Sequence, residues 1–366
     1  MDRILIGLTG NIATGKSVVR RMLVNHGALG LDADLIAHRT LYPGGRAYQP
    51  AIQAFGKAIL APNGEINRSK LGEIVFADPQ KLRLLEGLTH PAVTADIRER
   101  IEAARPSLAV IEAIKLLETP LAGLCQSIWI SQAAESTQME RLLHARKMTE
   151  AQARQRIAAQ PPQEEKRRQA NAVINTEGDF KSTWRQVRQA LNDTIQAESI
   201  SPPQYINIDQ KWTFSPAGAL PEDVLESFWK AHSGRKPAEL YETLALNTVQ
   251  AVSDGASPIA LLISEDWNFT STLKAVITAP GQHLPAPAVL EALEVAALQR
   301  QIEWLILSDP VLQASFAGLD PAIFGFIHCS AEQVGFTAWR QALERSAGQQ
   351  EHPVWAKAIA QPFGQS

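Results

Sequence analysis

Ile4-Leu5-Ile6-Gly7-Leu8-Thr9-Gly10-Asn11-Ile12-Ala13-Thr14-Gly15-Lys16-Ser17, followed by Val18-Val19-Arg20-Arg21-Met22-Leu23, is the stretch that decides the fold. It reads as an apolar strand, a G-x-x-x-x-G-K-S loop from Gly10 to Ser17, and an amphipathic helix. Backbone N–H groups of such a loop, with the open end of a helix behind them, make a concave site for the oxygens of a nucleoside triphosphate. The expected ATP-binding set is therefore Gly10, Asn11, Ile12, Ala13, Thr14, Gly15, Lys16, Ser17 and Val18. In it Lys16 neutralises the β and γ phosphates and the Ser17 hydroxyl ligates Mg²⁺. A glycine-rich turn that binds nothing would need neither the strand nor the helix, and here all three levels agree.

With 366 residues the chain suits two domains, each large enough to bury its own core. A hydrophobic fraction of 45% and a charged fraction of 20% fit a soluble globular protein. A net charge of -3 gives no global reason to expect nucleic acid or an anionic membrane as partner. Cys125 and Cys329 are far apart and lack a C-x-x-C spacing, so two small apolar side chains fit better than a zinc site or a disulfide. No apolar run reaches bilayer length, and Met1-Asp2-Arg3 leads straight into the strand instead of a signal peptide, so a cytoplasmic location is expected.

Outward from the loop, the first helix should end near His26-Gly27, and a strand from Ala28 to Leu31 delivers Asp32-Ala33-Asp34. Ligands of open α/β sheets gather beyond the carboxyl ends of strands, where both the loop and this acidic pair fall. One carboxylate can accept the proton of an attacking hydroxyl and the other can cap the helix Leu35 to Leu41. Helices are expected over 47–55, 68–75, 79–87 and 91–104, with His90-Pro91 between the last two. That much helix between two strands looks like an inserted acceptor-binding segment. Strands follow over Leu108–Ile111, ending in Glu112, and Ser127–Ile130. Between them Lys115 and Glu118 either lie solvated on one face or turn into a site. The basic segment from Arg141 to Arg168 splits into helices over 137–145, 149–159 with Thr149 as N-cap, and 163–168, a pattern suited to a mobile flap over ATP. A short strand over 172–174 and a helix over 179–191 close the unit.

Residues Ile4 to about Asn192 resemble the dephospho-coenzyme A kinase family, which phosphorylates the ribose 3′-hydroxyl of dephospho-CoA with ATP. The likeness is carried by Leu8-Thr9-Gly10, Leu31-Asp32-Ala33-Asp34 with Ile36-Ala37, Arg68 through Leu71-Gly72-Glu73-Ile74-Val75-Phe76, and His90-Pro91. It continues through Leu117-Glu118, Thr149 with Ala151, Arg156-Ile157 with Gln160, Glu165-Lys166, and Ala170 with Val173-Ile174-Asn175. The resemblance implies a P-loop NTPase-type parallel sheet with helical acceptor-binding and lid segments, ATP and dephospho-CoA as substrates, and Mg²⁺ with ATP. It implies Asp34 as general base, Thr9, Asp32, His90 and Glu118 toward the acceptor, and Arg141 and Arg156 on the lid.

Two departures shape further expectations. The family usually reads Pro-Leu-Leu-Phe-Glu where this chain has Ile114-Lys115-Leu116-Leu117-Glu118. The next lid arginine after Arg141 falls on Ala145 with Arg146 beside it, and one residue turns a helical side chain by about 100°. Arg146 is therefore expected to touch the transferring phosphate, and Lys115 to lie near the acceptor's phosphates.

Glu198-Ser199-Ile200-Ser201-Pro202-Pro203 reads as a linker, which divides the chain into 1–197, a linker over 198–204, a second α/β domain over 205–347 and a tail over 348–366. The second domain's pattern has strands over 205–208, 248–252, 259–264, 273–279 and 304–307, and helices over 221–232, 237–246 and 288–300. This order looks like a GNAT-type N-acetyltransferase, a family that grips acetyl-CoA with a Q/R-x-x-G-x-G/A loop. Here that loop reads Gln282-His283-Leu284-Pro285-Ala286-Pro287, and proline has no N–H to donate. The expectation is a degenerate domain that does not acetylate but can sense CoA or touch a partner; His283 and His328 read as structural. Beside the dephospho-CoA kinase reading stand another P-loop kinase for a nucleotide or small alcohol, and a nucleotide-binding regulator whose altered flap has cost catalysis. The acidic pair favours an enzyme.

Overall fold

The computed structural model describes residues 3–198, 206–207, 212–255, 257–282, 284, 286–316, 320–329, 341 and 354–359. Strand β1 (Ile4–Thr9) is buried along its whole length, as an apolar run in a sheet covered on both faces must be. Helix α1 (Lys16–Asn25) buries Val19, Met22 and Leu23, and stops at His26 with Gly27 at φ +92° behind it. Next come β2 (Leu29–Asp32) and α2 (Ala33–Thr40), where Asp32 is the cap: its carboxylate accepts the Leu35 N–H at 2.9 Å. The inserted segment is α3 (Tyr48–Phe55), α4 (Arg68–Phe76) and α5 (Pro79–Ala104).

Helix α5 corrects the expected break at His90-Pro91, because it runs through Pro91. A proline inside a helix loses one N–H and crowds the carbonyl four residues back. Here that carbonyl belongs to Gly87, on an exposed turn where water can take it, while Val93, Ile97 and Ile101 beyond the proline are buried against the sheet.

Strands β3 (Leu108–Glu112) and β4 (Ser127–Gln132) follow, then the lid helices α6 (Glu135–His144), α7 (Glu150–Ala158) and α8 (Gln163–Arg167), then β5 (Ala172–Asn175) and α9 (Phe180–Glu198). The strands pair in parallel in the order β2-β3-β1-β4-β5. The fold is thus a parallel α/β sheet of the P-loop kinase type, with β1 central and the phosphate loop at its carboxyl end.

The second half contributes β6 (Ile206–Asn207), β7 (Trp212–Pro216), α10 (Glu222–His232), α11 (Pro237–Leu246), β8 (Thr248–Asp254), β9 (Ser257–Trp267) and β10 (Thr270–Thr278). It continues with α12 (Ala286–Gln299), β11 (Trp304–Leu307), α13 (Asp309–Ser315), β12 (Ile327–Cys329) and β13 (Val354–Ala358). These strands form one sheet, β12-β13-β11-β10-β9-β8-β7-β6, antiparallel except for β10–β11, which α12 connects as a crossover. The segment 348–366, expected as a tail, instead supplies β13, which pairs with both β11 and β12 and buries Val354 and Ala356. Of the expected strand over 205–208, Tyr205 and Ile208 lie outside the described residues, as do the linker residues 199–204 and His283 and Pro285.

Helix α1 is the seam between the halves. Its apolar face belongs to a cluster that also holds Leu225, Trp229, Leu240, Leu244 and Val249 of the second half. Buried Asn25 donates to the Leu244 and Asn247 carbonyls at 2.7 and 2.9 Å and accepts the Val249 N–H at 2.7 Å, so its amide is satisfied only across the seam. His26 stacks on Trp184 with centroids 4.3 Å apart, and burial pulls its pKa down to about 4. Gly218 lies against this pair so closely that an added Cβ would stand 2.4 Å from His26 Nδ1 and 2.6 Å from the Asn25 carbonyl oxygen. Gly218→Ala is therefore expected to destabilise the chain by about 1–3 kcal/mol, read as a lower urea midpoint at unchanged slope.

Candidate active site

Two non-routine backbone turns shape the phosphate loop: Ala13 at φ +59° and Gly15 at φ +84°, both left-handed. Gly10 is fixed by space, since a Cβ there would stand 2.5 Å from the Ser131 carbonyl oxygen on β4. Thr14 Oγ1 donates to the Asn11 carbonyl at 2.8 Å and lies 2.8 Å from Ser131 Oγ, and Thr176 Oγ1 donates to the Thr14 carbonyl at 2.9 Å. Lys16 Nζ donates to the Gly10 and Asn11 carbonyls, each at 3.0 Å. Burial outweighs the pull of Glu112 and draws the Lys16 pKa down to about 8. Ser17 and Val18 line the cavity that opens from the loop.

That cavity holds about 1210 Å³, room for more than one small ligand. On one side Asp32, Asp34 and Glu112 bring three carboxylates together around Lys16 and Arg20. Arg20 Nε lies 2.7 Å from Glu112 and its Nη2 lies 3.8 Å from Asp32, so these two are paired. Among the described residues Asp34 pairs with no arginine: partial burial first, then the neighbouring charges of Asp32 and Glu112, push its pKa up to about 6 against the attraction of Lys16 and a hydrogen bond from the Ile114 backbone. A partly desolvated carboxyl, open to the cavity and poised near neutrality, is suited to exchanging a proton.

The other acceptor-side residues are placed unevenly. Thr9 is buried, lies outside the cavity lining, and donates its hydroxyl to the Ile114 carbonyl at 3.0 Å, which holds the backbone beside Asp34. Lys115 pairs with Glu86 on α5 at 2.9 Å and is exposed. Neither Lys115, Glu118 nor His90 lines the cavity; Glu118 is exposed, and His90 sits half-buried inside α5.

The lid folds onto the loop. Gln160 accepts the Ile12 N–H at 2.7 Å and Asn11 donates to the Pro161 carbonyl at 3.0 Å, while Ile12 packs with Leu142 and Ala153. Arg141 donates to Ala13 O at 3.0 Å and to Thr176 O at 2.5 Å, so it locks the base of the lid to the loop. Arg146 lies in the turn between α6 and α7, lines the cavity and is close enough to Lys16 to repel its charge. Arg156 is exposed on α7, outside the lining.

The sequence assigns no site role to Glu112 or Arg20, and places Lys166 only within the basic flap segment. Lys166 is a buried cation that donates to the Ile114 carbonyl at 3.4 Å and repels Lys16 electrostatically. Among the described residues no group of three or more His, Cys, Asp or Glu is arranged to hold a metal by itself. Cys125 is held by burial at a pKa of about 12, far from a reactive thiolate.

The family model described as CoaE: Dephospho-CoA kinase matches residues 4–182. A dephospho-CoA kinase from Streptomyces avermitilis is 41% identical over 191 residues, 52% of this chain and 93% of that protein. One from Geobacter metallireducens is 42% identical over 196 residues, 53% of this chain and 98% of that protein. The crystal structure of TT1252 from Thermus thermophilus is 28% identical with a TM-score of 0.48, covering 53% of this chain and 98% of that one. With relatives at this identity matched over nearly their whole length, the chain belongs to the dephospho-CoA kinase family.

Proposed function

We propose that Asp34, Lys16, Ser17 and Arg146 carry out the reaction of this family, in which ATP phosphorylates the ribose 3′-hydroxyl of dephospho-CoA to give CoA and ADP. The chain is an ATP-dependent phosphotransferase with an alcohol acceptor, acting at the last step of coenzyme A biosynthesis. Asp34 takes the proton of the 3′-hydroxyl as its oxygen bonds to the γ-phosphorus, while the bond from that phosphorus to the bridging oxygen breaks and ADP leaves. Lys16 turns from the Gly10 and Asn11 carbonyls to the phosphates, whose charge restores its full protonation. The single observation that carries this reading is Asp34, a carboxyl open to the cavity that the phosphate loop also lines, with no ion-pair partner among the described residues.

One exposed hydroxyl, Ser17, beside cavity carboxylates is the sparse donor set that Mg²⁺ accepts when phosphate oxygens and water complete its shell. Bound with ATP, that ion supplies charge neutralisation at the phosphates, with Ser17 as its protein ligand. Arg146 faces the same phosphates from the lid. Arg146→Ala is expected to slow phosphoryl transfer about 10²-fold in single-turnover assays, and an unaltered rate would remove it from the mechanism. Thr9 and Lys166 act through Ile114, as positioning residues.

For the second half we keep the GNAT-like reading. Its support is the run β7, α10, α11, β8, β9, β10, α12, β11, with the parallel β10–β11 pair bridged by α12. Pro287 in the first turn of α12 offers no N–H to a pyrophosphate, in keeping with a domain that does not acetylate. Among the described residues no helix is long and apolar enough to cross a membrane. We place the reaction in the cytoplasm, where Cys125 stays reduced. ADP release that depends on dephospho-CoA tests the function: the account expects it, and release stimulated only by some other nucleotide or alcohol would overturn it.

A further inference from the structure

The cavity does not end at the kinase half. Beyond Thr176 it is lined by Gly178, Asp179, Phe180 and Lys181 at the start of α9, and then by residues of the second half, Glu226 on α10 and Pro237, Ala238, Glu239, Tyr241 and Glu242 on α11. These two walls are joined. Lys181 pairs with Glu226 at 2.7 Å and stands 5.4 Å from the centre of the Tyr241 ring, and the Tyr241 hydroxyl, with one proton to donate, lies 2.5 Å from the Glu226 carboxylate and 2.9 Å from that of Glu222.

The two ends differ in charge. Lys16, Arg141 and Arg146 gather at the loop, with Asp32, Asp34 and Glu112 on one side of them, whereas at the far end Glu226 is paired with Lys181 and Glu239 and Glu242 line the cavity beside apolar surface from Phe180, Pro237 and Ala238. A triphosphate is held at the first and repelled at the second; a flat, neutral base with amino groups to donate fits the second. Phe180 is 36% exposed, so its ring is available for a base to stack on.

We infer that α11 of the appended domain forms the outer wall of the nucleoside end of the ATP site, so that this domain sets the kinase's affinity for ATP. The inference rests on the kinase reading for the position of the phosphates. It goes beyond the family likeness, because the 191 residues matched in the Streptomyces avermitilis protein are 93% of it, and the remainder is too short for a counterpart of the second half that carries α11.

Ala238 is exposed and faces the cavity, so a larger side chain there fills the site without entering a core. In the full chain, Ala238→Trp is expected to raise KM for ATP at least about tenfold and Ala238→Leu to raise it less, with KM for dephospho-CoA unchanged. Ala231→Trp, on an exposed position of α10 outside the lining, is the control and should match the parent. An unchanged KM for ATP in both Ala238 variants, or a rise in KM for dephospho-CoA instead, would overturn the inference. Calorimetric binding of ATP to the same variants separates it from the kinase reading. A parent that binds ATP but transfers nothing to dephospho-CoA counts against the kinase reading alone; equal ATP affinity in parent and Ala238→Trp counts against the wall alone.

Discussion

Asp34→Asn is expected to lower kcat by about 10²–10⁴-fold while ATP affinity stays near the parent's. The substitution keeps the shape of the side chain and an oxygen for the hydrogen bond from the Ile114 backbone, but removes the group that accepts the proton. The sign of the pH dependence follows from the same cavity. Asp34 works as a base only when ionised, and burial has pushed its pKa up to about 6, so kcat/KM rises as the pH is raised through that value. Lys16 binds phosphate best when charged, and burial has drawn its pKa down to about 8 in the ATP-free enzyme, so kcat/KM for ATP falls as the pH passes that value. The profile should be a bell. In Asp34→Asn the residual activity should lose the limb near 6 and keep the limb near 8; an acid limb that survives unchanged would assign the base elsewhere.

Glu303→Ala is the change expected to weaken the folded chain most, by about 3–5 kcal/mol in urea unfolding, because it leaves buried cations without their carboxylate. Glu303 precedes β11 in the second half and is 0% exposed, and its carboxylate pairs with Arg39 of α2 in the kinase half. Arg100 of α5 is also fully buried; burial lowers its pKa to about 10 even with Glu303 and Asp96 nearby. The ring of Phe269 completes the cluster, 5.5 Å from the Arg39 guanidinium and 4.3 Å from that of Arg100. Phe269 and Asn268 form the β9–β10 turn with φ of +63° and +49°, a conformation that costs a non-glycine residue about 1–2 kcal/mol. The ring's place among the kinase half's apolar residues offsets that cost. Stability lost in Glu303→Ala should be recovered in part by Glu303→Gln, which still accepts a hydrogen bond. Full stability in Glu303→Ala would show that this cluster does not help to hold the two halves together.

What the sequence disclosed was local chemistry. The phosphate loop, an acidic pair of which one member caps a helix and the other is left for a proton, and the Thr149 cap of α7 depend on residues within a few positions of one another; that Asp32 is the cap is seen only in the structure. Where a neighbour is remote, the reading stopped short. Pro91 looked like a helix break because the packing of Val93, Ile97 and Ile101 that carries α5 through it lies on another element. Val354–Ala358 looked like a tail because its partners in the sheet, β11 and β12, are distant in sequence. Lys115 sits one residue beyond a cavity-lining position, and only its pairing with Glu86 on α5 shows where the cation points. Asn25 would pass for an ordinary polar residue at the end of a helix; its three cross-seam hydrogen bonds make it part of an interface.

The central claim is a new phosphate ester on the ribose alcohol that faces Asp34. Phosphorus NMR of the product from parent chain, MgATP and dephospho-CoA reads it directly: the account predicts a new phosphomonoester signal on the 3′ carbon of the ribose, appearing in step with ADP. ATP consumed with dephospho-CoA left intact, or phosphate on any other hydroxyl, would contradict it.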